Sequence, residues 1–282
     1  MPTLKEQMKF NLELRGYSPN TQAAYLRCVT EFSRHYGKSP SLLGTTEIKD
    51  YLHLLLSTQT KSHSSINTMY SALKFFYEIT LGRTWDVKAI PRTKTPKQLP
   101  SVLSAAEVKG IFDALTNIKH RAILMTIYAA GLRVSEAANL KVADIDSKNM
   151  QLRIRQAKGK KDRYSLLSTE NLHILREYWK RCRPKEWLFP GYDQDKPLTT
   201  RSIQKMFEKA KSIAGIHKQV SVHTLRHCFA THLLEAGTSI YHIQNLLGHT
   251  SPKTTNIYLY LTRKDLLNVK SPLDRLKEIV HD

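Results

Sequence analysis

Apolar residues recur every three to four positions through most of the first 88 residues. Leu4, Met8 and Leu12 share one face of a segment running from Thr3 to Leu14. Behind a candidate N-cap at Asn20, Ala24, Tyr25, Val29 and Phe32 repeat the pattern. Glu47 to Leu55 makes a short third segment. Ser65 to Leu81 makes a fourth, with Met69, Leu73, Phe76 and Ile79 at helical spacing. No stretch here alternates with period two, so the pattern predicts a small bundle of four short helices.

The pattern then breaks. Pro91, Arg92, Lys94, Pro96, Lys97 and Pro100 crowd a short stretch without period, and residues 89–102 read as an extended basic linker. Such a segment either tracks a phosphate backbone or serves as a solvated tether. From 103 to 282 a second domain is expected. Ser104 followed by Glu107 is a capping box, and helices are predicted over Ala106–Leu115 and Ile118–Tyr128. Gln151–Arg155 alternates polar and apolar. With Arg163–Leu167 as partner and a tight basic turn from Ala157 to Asp162, it predicts a β-hairpin. Trp187–Phe189 is a candidate third strand, and the remainder reads as helical. The fold class is therefore mainly α, with a small antiparallel sheet in the second domain.

Charge narrows the partners. The chain of 282 residues carries 44 Lys+Arg against 24 Asp+Glu, a net +20. Residues 1–90 hold 11 Lys+Arg and 7 Asp+Glu, a net +4, which leaves +16 on the remainder. A surplus of that size predicts attraction to polyanions, with nucleic acid ahead of anionic membrane. The longest mostly apolar stretch, Ala122 to Leu132, is too short to span a bilayer and runs into Arg133. The N-terminus lacks a basic-then-apolar signal pattern. Cys28, Cys182 and Cys228 are few and scattered, which argues against a disulfide frame and suits a reducing cytoplasm.

Several local patterns carry candidate chemistry. In Gly131-Leu132-Arg133-Val134-Ser135-Glu136 a glycine ends an apolar helix and an arginine opens the next, with Glu136 one turn on to hold it. A rigid guanidinium suits a phosphate, although a surface ion pair has the same signature. The hairpin tip Ala157-Lys158-Gly159-Lys160-Lys161-Asp162-Arg163 offers a lysine that either protonates a leaving oxygen or merely meets phosphate. In His223-Thr224-Leu225-Arg226-His227, His223 and Arg226 share a helix face, and Leu225, Phe229, His232, Leu233 and Ala236 form a buried stripe. His223 and His227 at i and i+4 invite a zinc site, but they lack a third ligand and Arg226 repels a cation. Gly248 reads as a helix C-cap, His249 as a loop residue, and Pro252 as the start of a helix bearing Tyr258. Tyr260 competes with Tyr258 but lies about 200° away on a helix.

None of these patterns is decisive alone. Their order — Arg133, Lys158, His223-x-x-Arg226, His249, Tyr258 — resembles the tyrosine recombinase (phage integrase) family through GLRVSE, AKGKKDR, HTLRH, LLGH and TTNIY. The likeness spans the second domain; the first resembles the family's core-binding domain more loosely. The compact layout is most similar to Xer-type recombinases and short mobile-element integrases.

The resemblance implies a site-specific DNA recombinase for integration, excision or dimer resolution, working on double-stranded DNA as a homotetramer, with no metal or other cofactor. It implies that Tyr258 attacks the scissile phosphate and forms a 3′-phosphotyrosyl bond. Arg133 and Arg226 would clamp the transition state, Lys158 protonate the leaving 5′ oxygen, His223 assist proton transfer and His249 donate to a non-bridging oxygen. Glu136 would orient Arg133. Lys160, Lys161 and Arg163, with Lys61, Asn67 and Lys74 of the first domain, are the expected DNA contacts. The tail from Ser271 to Asp282 is expected as a short amphipathic helix, docked on its own domain or on a neighbouring copy. Two other readings stay open: a type IB topoisomerase-like nicking-closing enzyme, and a catalytically silent architectural DNA-binding protein.

Overall fold

The structure, a computed structural model, describes residues 2–94, 101–155, 162–248, 255 and 258. The chain divides into two compact units, Met1–Lys97 and Gln98–Asp282.

The first unit is built on α1 (Leu4–Leu14), α2 (Pro19–Tyr36), α3 (Thr45–Ser57) and α4 (His63–Phe75). Local chemistry sets the helix ends. Thr3 and Glu6 form a reciprocal capping box on α1. The cap of α2 is Ser18, not Asn20, because Pro19 fits the first helical position and Ser18 Oγ accepts from the Thr21 amide. Gly37, in the left-handed region, ends that helix. Met8, Leu12, Phe32, Ile66 and Leu73 meet in one core. The fourth helix ends sooner than its apolar pattern predicts. After Phe75 the backbone widens into a π-turn over Phe76–Thr80, with the Leu81 amide bonded to the Phe76 carbonyl. That wider turn buries Phe76 and the adjacent Tyr77 together. The first residues of the expected linker lie on this unit. Ile90 is buried in its core, and the Asn67 amide donates to the Thr93 carbonyl at 3.2 Å. Pro96, Lys97 and Pro100 lie outside the described residues.

The second unit begins with the Ser104–Glu107 capping box of α5 (Ala105–Asp113). Then come α6 (Ile118–Ala130), the short α7 (Val134–Ala138), and a three-stranded antiparallel sheet of β1 (Ile145–Asp146), β2 (Gln151–Ile154) and β3 (Arg163–Leu166). The hairpin pairs Gln151 with Leu166 and Ile154 with Arg163. Leu152 and Ile154 alternate inward, as their spacing requires. The third strand is not Trp187–Phe189, which contributes a single bridge between Trp187 and Lys141. It is β1, paired with β2 through a turn in which Asp146 Oδ1 accepts from the Lys148 and Asn149 amides. Among the described residues up to Gly248 come α8 (Thr169–Cys182), α9 (Thr200–Ile213), α10 (Val222–Glu235) and α11 (Ile240–Leu247).

Helix α6 is the hub. Ala122, Ile123, Leu124 and Ile127 are wholly buried among α8, α9 and α10. Ser165 Oγ donates to the Ala130 carbonyl at 2.7 Å, fixing β3 against the end of this helix. Among the described residues no helix is long and apolar enough to cross a membrane.

Candidate active site

The site assembles where helices end. Helix α6 stops at Gly131, with φ +60°, and α11 stops at Gly248, with φ +64°. A helix C-terminus presents carbonyl oxygens without intrahelical partners and a partial negative charge. Arg226, on α10, sits between the two ends. Its guanidinium donates to the Gly131 carbonyl at 2.5 Å and to the Leu247 carbonyl at 2.6 Å. It is 1% exposed. Burial is the main cause that draws its pKa down, to about 10, with Arg133 adding repulsion and Glu136 opposing it. It therefore stays cationic at neutral pH.

Glu136 is the counter-charge. Its Oε1 lies 2.6 Å from Arg133 Nη1 and 2.7 Å from Arg163 Nη1. Its Oε2 accepts from Arg163 Nη2 and from the Arg133 amide, both at 2.8 Å. Arg226 Nη1 stands 3.7 Å from the same carboxylate. Burial opposes this charge, but hydrogen bonding and attraction from Arg163, with Arg133 behind them, prevail and hold the carboxyl at about 2. Of the three arginines, Arg133 has the most exposed side chain, at 23% against 9% for Arg163 and 2% for Arg226.

Arg163 is engaged within the protein. Expected on a DNA phosphate, it turns inward: Nε donates to the Leu246 carbonyl at 3.0 Å and the fork pairs with Glu136. It joins β3, the Arg133 loop and the end of α11. A Cβ on Gly248 would sit 2.7 Å from Arg163 Cδ, so the glycine is needed for space as well as for φ.

Tyr258 is 2% exposed and packs with Phe229, Leu234, Ile243 and Leu247. Its hydroxyl lies 3.1 Å from His227 Nδ1. Burial raises the phenol pKa, while Arg226 and then Arg133 pull it the other way. The two arginines are thus within electrostatic reach of this hydroxyl. His223 is exposed at the start of α10, edge-on to His227 with ring centroids 4.8 Å apart. Loss of solvation and the Arg226 and Arg133 charges lower its pKa. His232, expected in the buried stripe, has both ring nitrogens engaged, with Tyr128 Oη at 2.9 Å and the Leu103 carbonyl at 3.0 Å.

Arg133, Glu136, Arg226 and Tyr258 therefore converge, with His223 at the rim. Lys158, Lys160, Lys161, His249, Pro252, Tyr260 and the tail from Ser271 to Asp282 lie outside the described residues. The first-unit candidates have partners of their own. Lys61 Nζ is 2.5 Å from Glu31, Lys74 is 3.8 Å from Glu78, and Asn67 holds Thr93 and Arg92. Among the described residues no group of three or more His, Cys, Asp or Glu side chains is placed to hold a metal ion. The residue that sequence reasoning left without a role is His227. Its helix spacing shows it beside Arg226, but nothing local shows that the Tyr258 segment folds back onto it.

Comparison with known proteins gives a consistent picture. Residues 96–264 match the phage integrase family, and residues 4–87 match the phage integrase N-terminal SAM-like domain. A putative integrase/recombinase of Sinorhizobium fredii is 44% identical over 277 residues, covering 98% of this chain and 90% of the relative. The tyrosine recombinase XerA of Pyrococcus horikoshii is 34% identical over 266 residues, covering 93% and 90%. Among solved structures, a lambda integrase tetramer bound to a Holliday junction superposes with a TM-score of 0.75 at 20% identity, covering 90% of this chain and 76% of that one.

Proposed function

This chain belongs to the phage integrase family, the tyrosine recombinases, and on that footing we propose that it is a site-specific DNA recombinase whose nucleophile is Tyr258. It cuts and rejoins double-stranded DNA as four copies on the recombining sites, in the cytoplasm where that DNA lies. The observation that carries the residue assignment is the convergence on one buried carboxylate. Glu136 gathers Arg133 and Arg226, and the Tyr258 hydroxyl lies within reach of both cations.

The chemistry requires that convergence. Enzymes lower comparable barriers by about 8–23 kcal/mol, and one oxyanion donor supplies only about 3–4. Several fixed donors must therefore act together. Tyr258 Oη attacks the scissile phosphorus while Arg133 and Arg226 stabilise the non-bridging oxygens. The P–O5′ bond breaks, Lys158 protonates the departing 5′ oxygen, and a 3′-phosphotyrosyl bond is left. His249 donates to a non-bridging oxygen. The covalent link conserves the bond energy, so a 5′-hydroxyl from a partner duplex reverses the step without ATP. Glu136 keeps both arginines in place before DNA arrives.

The test uses a duplex selected from a random pool by the Tyr258→Phe protein and then nicked near the cleavage point. Wild type should form a denaturant-resistant protein–DNA adduct, Tyr258→Phe none, and EDTA should leave the adduct unchanged. An adduct that survives Tyr258→Phe but is lost in Tyr260→Phe moves the nucleophile. Exchange between two sites, as against relaxation of one supercoiled circle, separates recombinase from topoisomerase.

A further inference from the structure

One half-buried, titratable side chain beside the reacting hydroxyl has no part in the scheme above. His227 follows Arg226 directly on α10 and points its Nδ1 at Tyr258 Oη, 3.1 Å away, with ring centroids 5.8 Å apart. Proton-transfer geometry asks for about 2.6–3.2 Å between heavy atoms. Its helix neighbour His223, expected to handle this proton, is exposed and meets the edge of the His227 ring; no hydrogen bond from it to Tyr258 is among the described contacts.

We infer that His227 is the group that receives the hydroxyl proton of Tyr258 as Oη bonds to phosphorus. The inference rests on Tyr258 being the nucleophile. The step balances simply. The Oη–P bond forms as the P–O5′ bond breaks, and the phenolic proton passes to His227 Nδ1. The 5′ oxygen takes its proton from Lys158. On rejoining, the 5′-hydroxyl attacks phosphorus and gives its proton back to Lys158 as the Oη–P bond breaks, and His227 returns its proton to the departing phenolate.

For this, His227 must be neutral before cleavage, with its proton on Nε2 and a lone pair on Nδ1. Burial, then repulsion from His223 and Arg226, holds its pKa at about 4, so the imidazole is uncharged at neutral pH. Among the described residues, the charged and titratable groups facing it are His223 and Arg226 on its own helix and Tyr258 across the contact. Glu136 and Arg133 stand behind Arg226. A base this weak does not strip a resting phenol. As Oη bonds to phosphorus the proton becomes strongly acidic, and a base whose pKa lies between those two limits is the one that assists the step. The incoming phosphate carries a negative charge, which favours the protonated imidazole at the moment it forms.

The selected, nicked duplex provides the test. His227→Asn keeps a side-chain acceptor near the position of Nδ1 but cannot take up a proton. The variant should bind the duplex within twofold of wild type and form the adduct about 10²-fold more slowly or worse. The wild-type rate should also have an acid limb that His227→Asn lacks. An Asn variant that cleaves within threefold of wild type, or keeps the same acid limb, overturns the inference. His227→Ala is read alongside, with thermal melting to certify folding. Rescue of its cleavage by added free imidazole supports proton acceptance, and a folded, DNA-binding Ala variant that imidazole leaves inert counts against it. Survival of the adduct in Tyr258→Phe is a separate outcome, because it removes the nucleophile assignment whatever His227 does.

Discussion

At the scale of single residues, the protein concentrates its electrostatics on Glu136. A lone carboxylate with 7% of its side chain exposed compensates Arg133 and Arg163 directly and Arg226 at 3.7 Å. Removing one partner of a buried charge cluster leaves the others uncompensated, at a cost of about 3–5 kcal/mol. Glu136→Gln should lose stability of that order in urea unfolding, more than an ordinary surface change. The pH dependence has a definite sign. The folded-state pKa, about 2, lies below the ordinary value of 4.5. The unfolded chain therefore binds the proton more readily, and the group stabilises the fold above pH 4.5. That contribution, about 3 kcal/mol by linkage, should fade as pH falls from 4.5 through 2. A urea midpoint followed over that window should fall in wild type and lose this component in Glu136→Gln. Glu136 was legible beside Arg133 from spacing alone, because three residues along a helix bring side chains together. Its pairing with Arg163, 27 residues on, was not.

At the scale of elements, the site depends on two helix ends and one strand. Glycine in the left-handed region was readable at Gly131 and Gly248, since a glycine after an apolar run is a usual helix terminator. What Gly248 leaves room for was not readable. Gly248→Ala places a methyl group against Arg163 Cδ and forces an alanine to φ +64°. It should cost at least 1–2 kcal/mol, roughly the strain of that backbone region, and slow adduct formation by displacing the end of α11. Thermal melting and the nicked-substrate assay would check both halves. Arg163→Met should act in the same direction. It frees the Leu246 carbonyl and removes the strongest support of the Glu136 charge, so cleavage should fall at least tenfold while DNA affinity changes less. A larger loss in affinity than in cleavage would return Arg163 to the role of phosphate contact. The missed strand teaches the same lesson. β1 has two residues, too few for a period, and only the Asp146 turn and its partner β2 make it a strand.

At the scale of the whole molecule, charge and patterning decide different things. A net charge of +20 predicts DNA affinity that falls steeply with salt. If the protein covers about 6–10 phosphates, affinity should drop about 10³–10⁵-fold between 50 and 200 mM salt. Fluorescence anisotropy on a random duplex would measure this, and a flat response would count against backbone-dominated binding. The sequence by itself determined the helical first unit, the hairpin and the Ser104–Glu107 capping box, and it set Arg133, Glu136, His223, Arg226 and Tyr258 in the order that carries the family resemblance. The elements follow from local periodicity and capping chemistry; the residue set follows from its resemblance to the family's motifs. Only the tertiary structure decided that Arg226 is buried against two helix ends, that Arg163 turns inward and that the Tyr258 hydroxyl meets His227. Those contacts join residues 21 to 95 positions apart. The physical reason is that a hydrogen bond across folded elements leaves no period and no spacing in the chain; it exists only once packing has brought the two ends together.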